Sequence, residues 1–301
     1  MKPVVVAVAS MLLLLAVAAT AQFTAWSPPE NLGPVVNSPY LDSCVSVSKN
    51  GLSLFFFSNR YAFNSTAAWH LYVSKRASVD APWEEAQEIV GFNDGRGASC
   101  PALSPDEHRL FFASGRPGGC GGADLWVSRR HDRRDDFGWG PPVNLGCIVN
   151  SPSSETAPTV FEDETGTEVL YFSSTRPGGP GGVDIYQSRM GNDDTFGPAT
   201  LVAELSSSST DVAAVRRDGL EVIVISYRPG GPGNGDLWTA TRESTAQPWP
   251  APVLVPVLNT SFDEGGRSSF SFDGRAFYFR SNRPGGYGGY DLYVTTREKL
   301  R

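Results

Sequence analysis

The chain has 301 residues, with Lys and Arg at 25 against Asp and Glu at 32 and a net charge of -7. A hydrophobic share of 40% and a charged share of 19% describe a globular chain, and the acidic balance excludes the basic footprint of a nucleic-acid or anionic-membrane binder. Gly at 32 and Pro at 23 exclude a protein built from long helices.

Residues 1–21 read as a signal peptide. Lys2 supplies a positive start, Val4 to Val17 an apolar run, and Ala19-Thr20-Ala21 a small-x-small cleavage pattern. Cleavage after Ala21 is expected to release an exported bacterial protein, periplasmic or extracellular. No later run approaches the ~20 apolar residues of a membrane span, so stable membrane insertion is not expected after cleavage. Four cysteines (Cys44, Cys100, Cys120, Cys147) behind an export signal read as two disulfides. Neither they nor His70, His108 and His131 show a metal-ligand spacing, so no metal and no cofactor is expected.

Next, in chain order, comes a segment over about 23–33 opened by Trp26, followed by repeats over about 42–91, 97–150, 155–205, 211–258 and 264–301. Each repeat holds an apolar strand, a turn and a second strand. The first copy reads LFFFSNR, ending at Arg60. The next are LFFASGRPGGCGGADLWVSRR, LYFSSTRPGGPGGVDIYQSR, VIVISYRPGGPGNGDLWTATR and FYFRSNRPGGYGGYDLYVTTR. Their arginines (Arg60, Arg116, Arg176, Arg228, Arg283) are spaced 56, 60, 52 and 55 residues apart. Pro fixes φ and the glycines accept positive φ, so the loop between is a tight hairpin turn. Four copies place Asp eight residues after Arg (Asp124, Asp184, Asp236, Asp291), and the first, whose loop is two residues longer and lacks RPGG, has His70 in place of the Asp. Another short strand precedes each hairpin, and an aromatic marks a fourth: Trp26, Trp83, Trp139, Phe196 and Trp249.

Four strands in ~50 residues, repeated, predict a β-propeller. Trp26 comes before the first hairpin, so the 23–33 segment is expected to supply the outer strand of the last blade. The fold expected is an all-β, five-bladed propeller of four-stranded antiparallel blades, one domain over 22–301, its ring closed by the N-terminal strand. The S-x-R-P-G-G-x-G-G-x-D block, with its upstream S-P-D or F-D-G turn, resembles the WD40-like PD40 repeat of TolB-type propellers. That resemblance covers essentially all of 22–301 and implies the same fold, without the N-terminal domain that TolB-type proteins carry.

Propeller topology puts the RPGG loops and the segments entering each innermost strand on one face. Four of those segments carry an acid, Asp42, Glu155, Asp211 and Glu264, a ring that caps local turns or binds a ligand. The second blade has Gly-Arg-Gly-Ala-Ser there, with Arg96. Four cysteines allow three pairings. Their places on this face favour Cys44 with Cys100 and Cys120 with Cys147. Arg116, Arg176, Arg228 and Arg283, with Asp124, Asp184, Asp236 and Asp291, are read as structural, fixing each hairpin neck.

The function expected is a non-catalytic, monomeric binding module whose loop face takes a protein or glycan ligand. The alternative is a carbohydrate-active enzyme, a glycoside hydrolase or lyase. A third possibility is a structural part of an envelope assembly. No catalytic residue is assigned, because the four acids occupy repeated positions and a catalytic pair should break the repeat.

Overall fold

The structure, a computed structural model, describes residues 22–60, 69–92 and 95–300. The signal-peptide reading of 1–21 lies outside the described residues. The strand β1 (Glu30–Asn31) is followed by four consecutive blades. Blade 1 is β2 (Asp42–Val47), β3 (Ser53–Ser58), β4 (His70–Lys75) and β5 (Gln87–Glu88). Blade 2 is β6 (Ser99–Leu103), β7 (Arg109–Ser114), β8 (Asp124–Arg129) and β9 (Val143–Asn144). Blade 3 is β10 (Glu155–Glu162), β11 (Glu168–Ser174), β12 (Asp184–Arg189) and β13 (Thr200–Leu201). Blade 4 is β14 (Asp211–Val215), β15 (Glu221–Ser226), β16 (Asp236–Thr241) and β17 (Val253–Leu254). Blade 5 takes β18 (Glu264–Phe270), β19 (Ala276–Ser281) and β20 (Asp291–Thr296), and β1 completes it by pairing with β20 through Glu30–Val294 and Asn31–Tyr293. The molecule is a five-bladed β-propeller closed by its N-terminal segment.

The second strand of each blade is packed on both faces, which explains its continuous apolar run. Phe55, Leu71, Phe92, Leu110 and Phe112 join in one buried cluster between blades 1 and 2, and comparable clusters fill the other seams. The outer strands are shorter than expected, two residues each, and the marker aromatics lie ahead of them. Pro28-Pro29, Pro141-Pro142, Pro198, Pro250 and Pro252 follow four of those five aromatics, Trp83 being the exception, and proline cannot donate to a ladder.

The innermost strands carry the irregularity that shapes the axis. A bulge interrupts β2, β6, β10 and β18, with positive φ at Cys44, Cys100, Ala157 and Gly266. Three residues after the position of the strand-opening acid stand Val45, Pro101, Pro158 and Ala214 in blades 1 to 4, blade 4 having no bulge, and Arg267 in blade 5. Disulfides join Cys44 to Cys100, linking the bulges of blades 1 and 2, and Cys120 to Cys147 within blade 2.

Candidate functional site

The four acids of the expected ring are fully buried at the first positions of β2, β10, β14 and β18. Each accepts from the backbone N–H and hydroxyl of a residue four earlier: Ser38 to Asp42, Ser151 to Glu155, Ser207 to Asp211 and Thr260 to Glu264. Each also pairs with an arginine, Arg60 at 2.7 Å, Arg176 at 3.1 Å, Arg228 at 3.0 Å and Arg283 at 3.0 Å. The same guanidinium donates to a carbonyl of the incoming segment, at Val36, Val149, Leu205 or Leu258. Each acid is therefore part of a latch between the incoming segment and the hairpin of its blade. In blade 2, Ala98 takes the acid's place, and Arg116 donates to Phe92 O and Ser114 Oγ.

The hairpin aspartates face their own turns. Asp124 accepts from the backbone of Cys120 and Gly121, Asp184 from Gly181, Asp236 from Gly233, and Asp291 from Tyr287 and Gly288. Outside blade 2 the arginines thus pair with the innermost acids, not with the hairpin aspartates, which order the RPGG turns.

With the repeated groups held in these local bonds, the departures from the repeat mark a candidate site. In β19, Arg280 occupies the slot that holds Phe57, Ala113, Ser173 and Ile225 in the other blades. Asp263 stands where the others have Leu41, Gly97, Ser154 and Thr210. At the hairpin necks, Tyr227 stands where the other blades have Asn59, Gly115, Thr175 and Asn282, and Tyr290 where they have Trp69, Ala123, Val183 and Gly235. These four side chains meet. Tyr290 Oη donates to Asp263 Oδ2 at 2.8 Å and Tyr227 Oη to the same oxygen at 3.2 Å. The Arg280 guanidinium lies 4.2 Å over the Tyr290 ring, and its Nη1 donates to Ser43 Oγ at 3.3 Å. Burial, then Asp263, pushes the Tyr290 phenol up to about 12 and raises that of Tyr227. Both phenols therefore remain protonated donors to the carboxylate.

Two glycines make the room. A Cβ on Gly266 would meet Ser43 Oγ at 2.5 Å and Arg280 Cδ at 2.9 Å, and one on Gly235 would meet Asp263 Oδ1 at 2.3 Å. Around the cluster, Tyr40, Trp69, Tyr227, Phe262 and Tyr287 are 38–49% exposed. All five lie in the loops of this face, on blades 4, 5 and 1. Blades 2 and 3 carry Gly115, Ala123, Thr175 and Val183 at the hairpin-neck positions. The exposed aromatics of this face are thus concentrated on the blades that carry, or adjoin, the one carboxylate and one guanidinium of the cluster. Aromatic faces suit the C–H faces of sugar rings, and the polar centre suits their hydroxyls. Among the described residues, no group of three or more His, Cys, Asp or Glu is arranged to hold a metal ion.

The sequence matches no family model and no curated protein. Solved structures similar to it include the catalytic domain of a Coprinopsis cinerea GH62 α-L-arabinofuranosidase, 13% identical, with a TM-score of 0.58 over 92% of this chain and 98% of that one. An endo-arabinase from Bacteroides thetaiotaomicron is 18% identical, with a TM-score of 0.56 over 92% and 99%. A thermostable family-43 glycoside hydrolase is 14% identical, with a TM-score of 0.56 over 86% and 89%. At these identities the likeness establishes the fold. It also corrects the family expectation, since these neighbours are glycoside hydrolase propellers and not the WD40-like, PD40 or TolB type. The expectation of a non-catalytic module is corrected with the family, since the similar structures are glycoside hydrolases.

Proposed function

We propose that this protein is a carbohydrate-active enzyme that cleaves glycosidic bonds on the loop face over blades 4, 5 and 1. The observation carrying this reading is the repeat-breaking cluster of Asp263, Tyr227, Tyr290 and Arg280 on the blades where the exposed aromatics of this face are concentrated. The propeller glycoside hydrolases that share the fold support it. Asp263 is the catalytic carboxylate in this reading: it takes a proton from the water whose oxygen bonds the anomeric carbon as the glycosidic C–O bond breaks, and the departing oxygen takes a proton from solvent. The two phenols hold its orientation, and Arg280 fixes the sugar. Trp69 and Tyr287 flank as stacking platforms. The paired cysteines fit an oxidising compartment, and we place the activity in the periplasm or outside the cell.

The test is mass spectrometry of a panel of plant and envelope oligosaccharides incubated with the purified protein. Cleavage of at least one class is expected, with Asp263→Asn lowering kcat by ~10²–10⁴ while the folded state persists. Trp69→Ala and Tyr287→Ala should raise KM more than they lower kcat. An intact panel, or cleavage unaffected by Asp263→Asn, would sink the proposal.

A further inference from the structure

We propose that the propeller axis holds a small monovalent anion, of halide size, against Arg267. This site adjoins the turns between the first and second strands, apart from the aromatic residues of the RPGG-loop face. It stands independently of the glycosidase reading.

Arg267 replaces the apolar residues found at its position in the four other innermost strands, so it is a second break in the repeat, here on the axis itself. Its side chain is buried, and Nη1 reaches across to Val45 O at 2.5 Å and Pro101 O at 2.8 Å. Those two bonds satisfy one nitrogen. Nε is buried and has no hydrogen-bond partner. Among the described residues Arg267 forms no ion pair, although nearly every other buried guanidinium here faces a carboxylate. Burial is the sole influence on its pKa, lowering it to about 9, so the side chain keeps its charge at neutral pH. A buried cation without a counter-charge is costly, by several kcal/mol for an unpaired ion in general, and an anion from solution offsets that cost.

The space for it is present. Arg267 lines a cavity of about 80 Å³ whose wall includes Ser46, Thr159 and Ser269. At ~30 Å³ per water in the liquid, the cavity takes two or three water-sized particles. Its mouth carries Lys49 and Arg217 against Glu107, and Arg217 is itself paired with Glu162 at 3.2 Å. Glu107 is turned to the Lys49 backbone N–H at 2.6 Å. The lining therefore holds three cations and one carboxylate. The small volume and the single unpaired guanidinium select a compact monovalent ion over phosphate or sulfate.

The experiment is thermal unfolding of the purified protein at fixed ionic strength, with sodium bromide replacing sodium gluconate stepwise. A saturable rise in Tm of about 2–4 °C is expected for bromide at roughly tenfold above its Kd. Arg267→Met should abolish the bromide-specific rise. If that variant does not fold, a wild-type crystal soaked in bromide decides the matter, with an anomalous peak expected beside Nε. Equal Tm in the two salts, or a soaked crystal with only water in the axial cavity, would overturn the proposal.

Discussion

At Asp163 a single turn shows how local bonding governs ionisation. Burial opposes charge on this carboxylate, but Thr165, Arg189 and Thr167 donate to it and outweigh that effect, bringing its pKa to about 2 from 3.8. A depressed folded-state pKa contributes stability that is present above the unfolded value and lost as pH falls through the folded one. Asp163→Asn should therefore cost ~1 kcal/mol at neutral pH, and the gap between variant and wild type should close as pH falls from about 4 to about 2. Urea titrations at several pH values measure this directly, and a gap independent of pH would rule it out. Arg280 and Asp263 teach a different lesson at the same scale. Each is one departure in one blade, and reading by recurrence discards single departures. The signal was nonetheless in the sequence, as an arginine in a slot otherwise held by Phe57, Ala113, Ser173 and Ile225.

Among the strands, the hairpin blocks were legible because the second strand of each blade is packed on both sides, leaving a continuous apolar run that ends at a fixed turn. The outer strands were legible in number but not in length, because the prolines after four of their five aromatics remove the donors that would extend them. The acids of the innermost strands were visible as a recurrence. Their partners were not, because Ser38, Ser151, Ser207 and Thr260 reach them through a turn whose shape the sequence does not display. The bulge in β18 offers a test that separates conformation from crowding. Cys44, Cys100 and Ala157 adopt positive φ in other blades, so a side chain at this φ is tolerated. Gly266 differs in having Ser43 Oγ and Arg280 Cδ inside the space a methyl would need. Gly266→Ala should cost ~1–3 kcal/mol and displace Arg280, lowering activity more than Ala157→Gly does. Parallel melting curves and rates on the two variants check this, and equal, small effects would show that the glycine pair has no part in shaping the site.

For the whole molecule, closure by a segment distant in sequence makes the ring depend on few contacts. Asn31 joins the turn of Asp291 at 2.9 Å, and Trp26 packs 6.0 Å from Phe277 with Arg297 4.0 Å above its indole. Without this segment, β20 becomes an unpaired edge and the cluster of Trp26, Phe270 and Phe277 opens to water. In blades 1 to 4 the outer strand is local and reforms with its hairpin, so the last blade alone depends on long-range closure. Asn31→Ala, which removes side-chain bonds but keeps the strand, should cost ~1 kcal/mol. Removing residues 22–33 should do far more, replacing one cooperative transition by a broadened one at lower temperature and promoting association through the bare edge. Scanning calorimetry with size-exclusion chromatography reads both effects. The disulfides set the contrast, since Cys44–Cys100 closes a separation of 56 residues and Cys120–Cys147 one of 27, and neither bridges the closure seam. By loop entropy the first stabilises by ~0.6 kcal/mol more than the second, a difference much smaller than the effect of opening the ring. If the shortened chain melted as sharply and as high as the wild type, β1 would be a bystander and the remaining strands of blade 5 would hold the ring unaided.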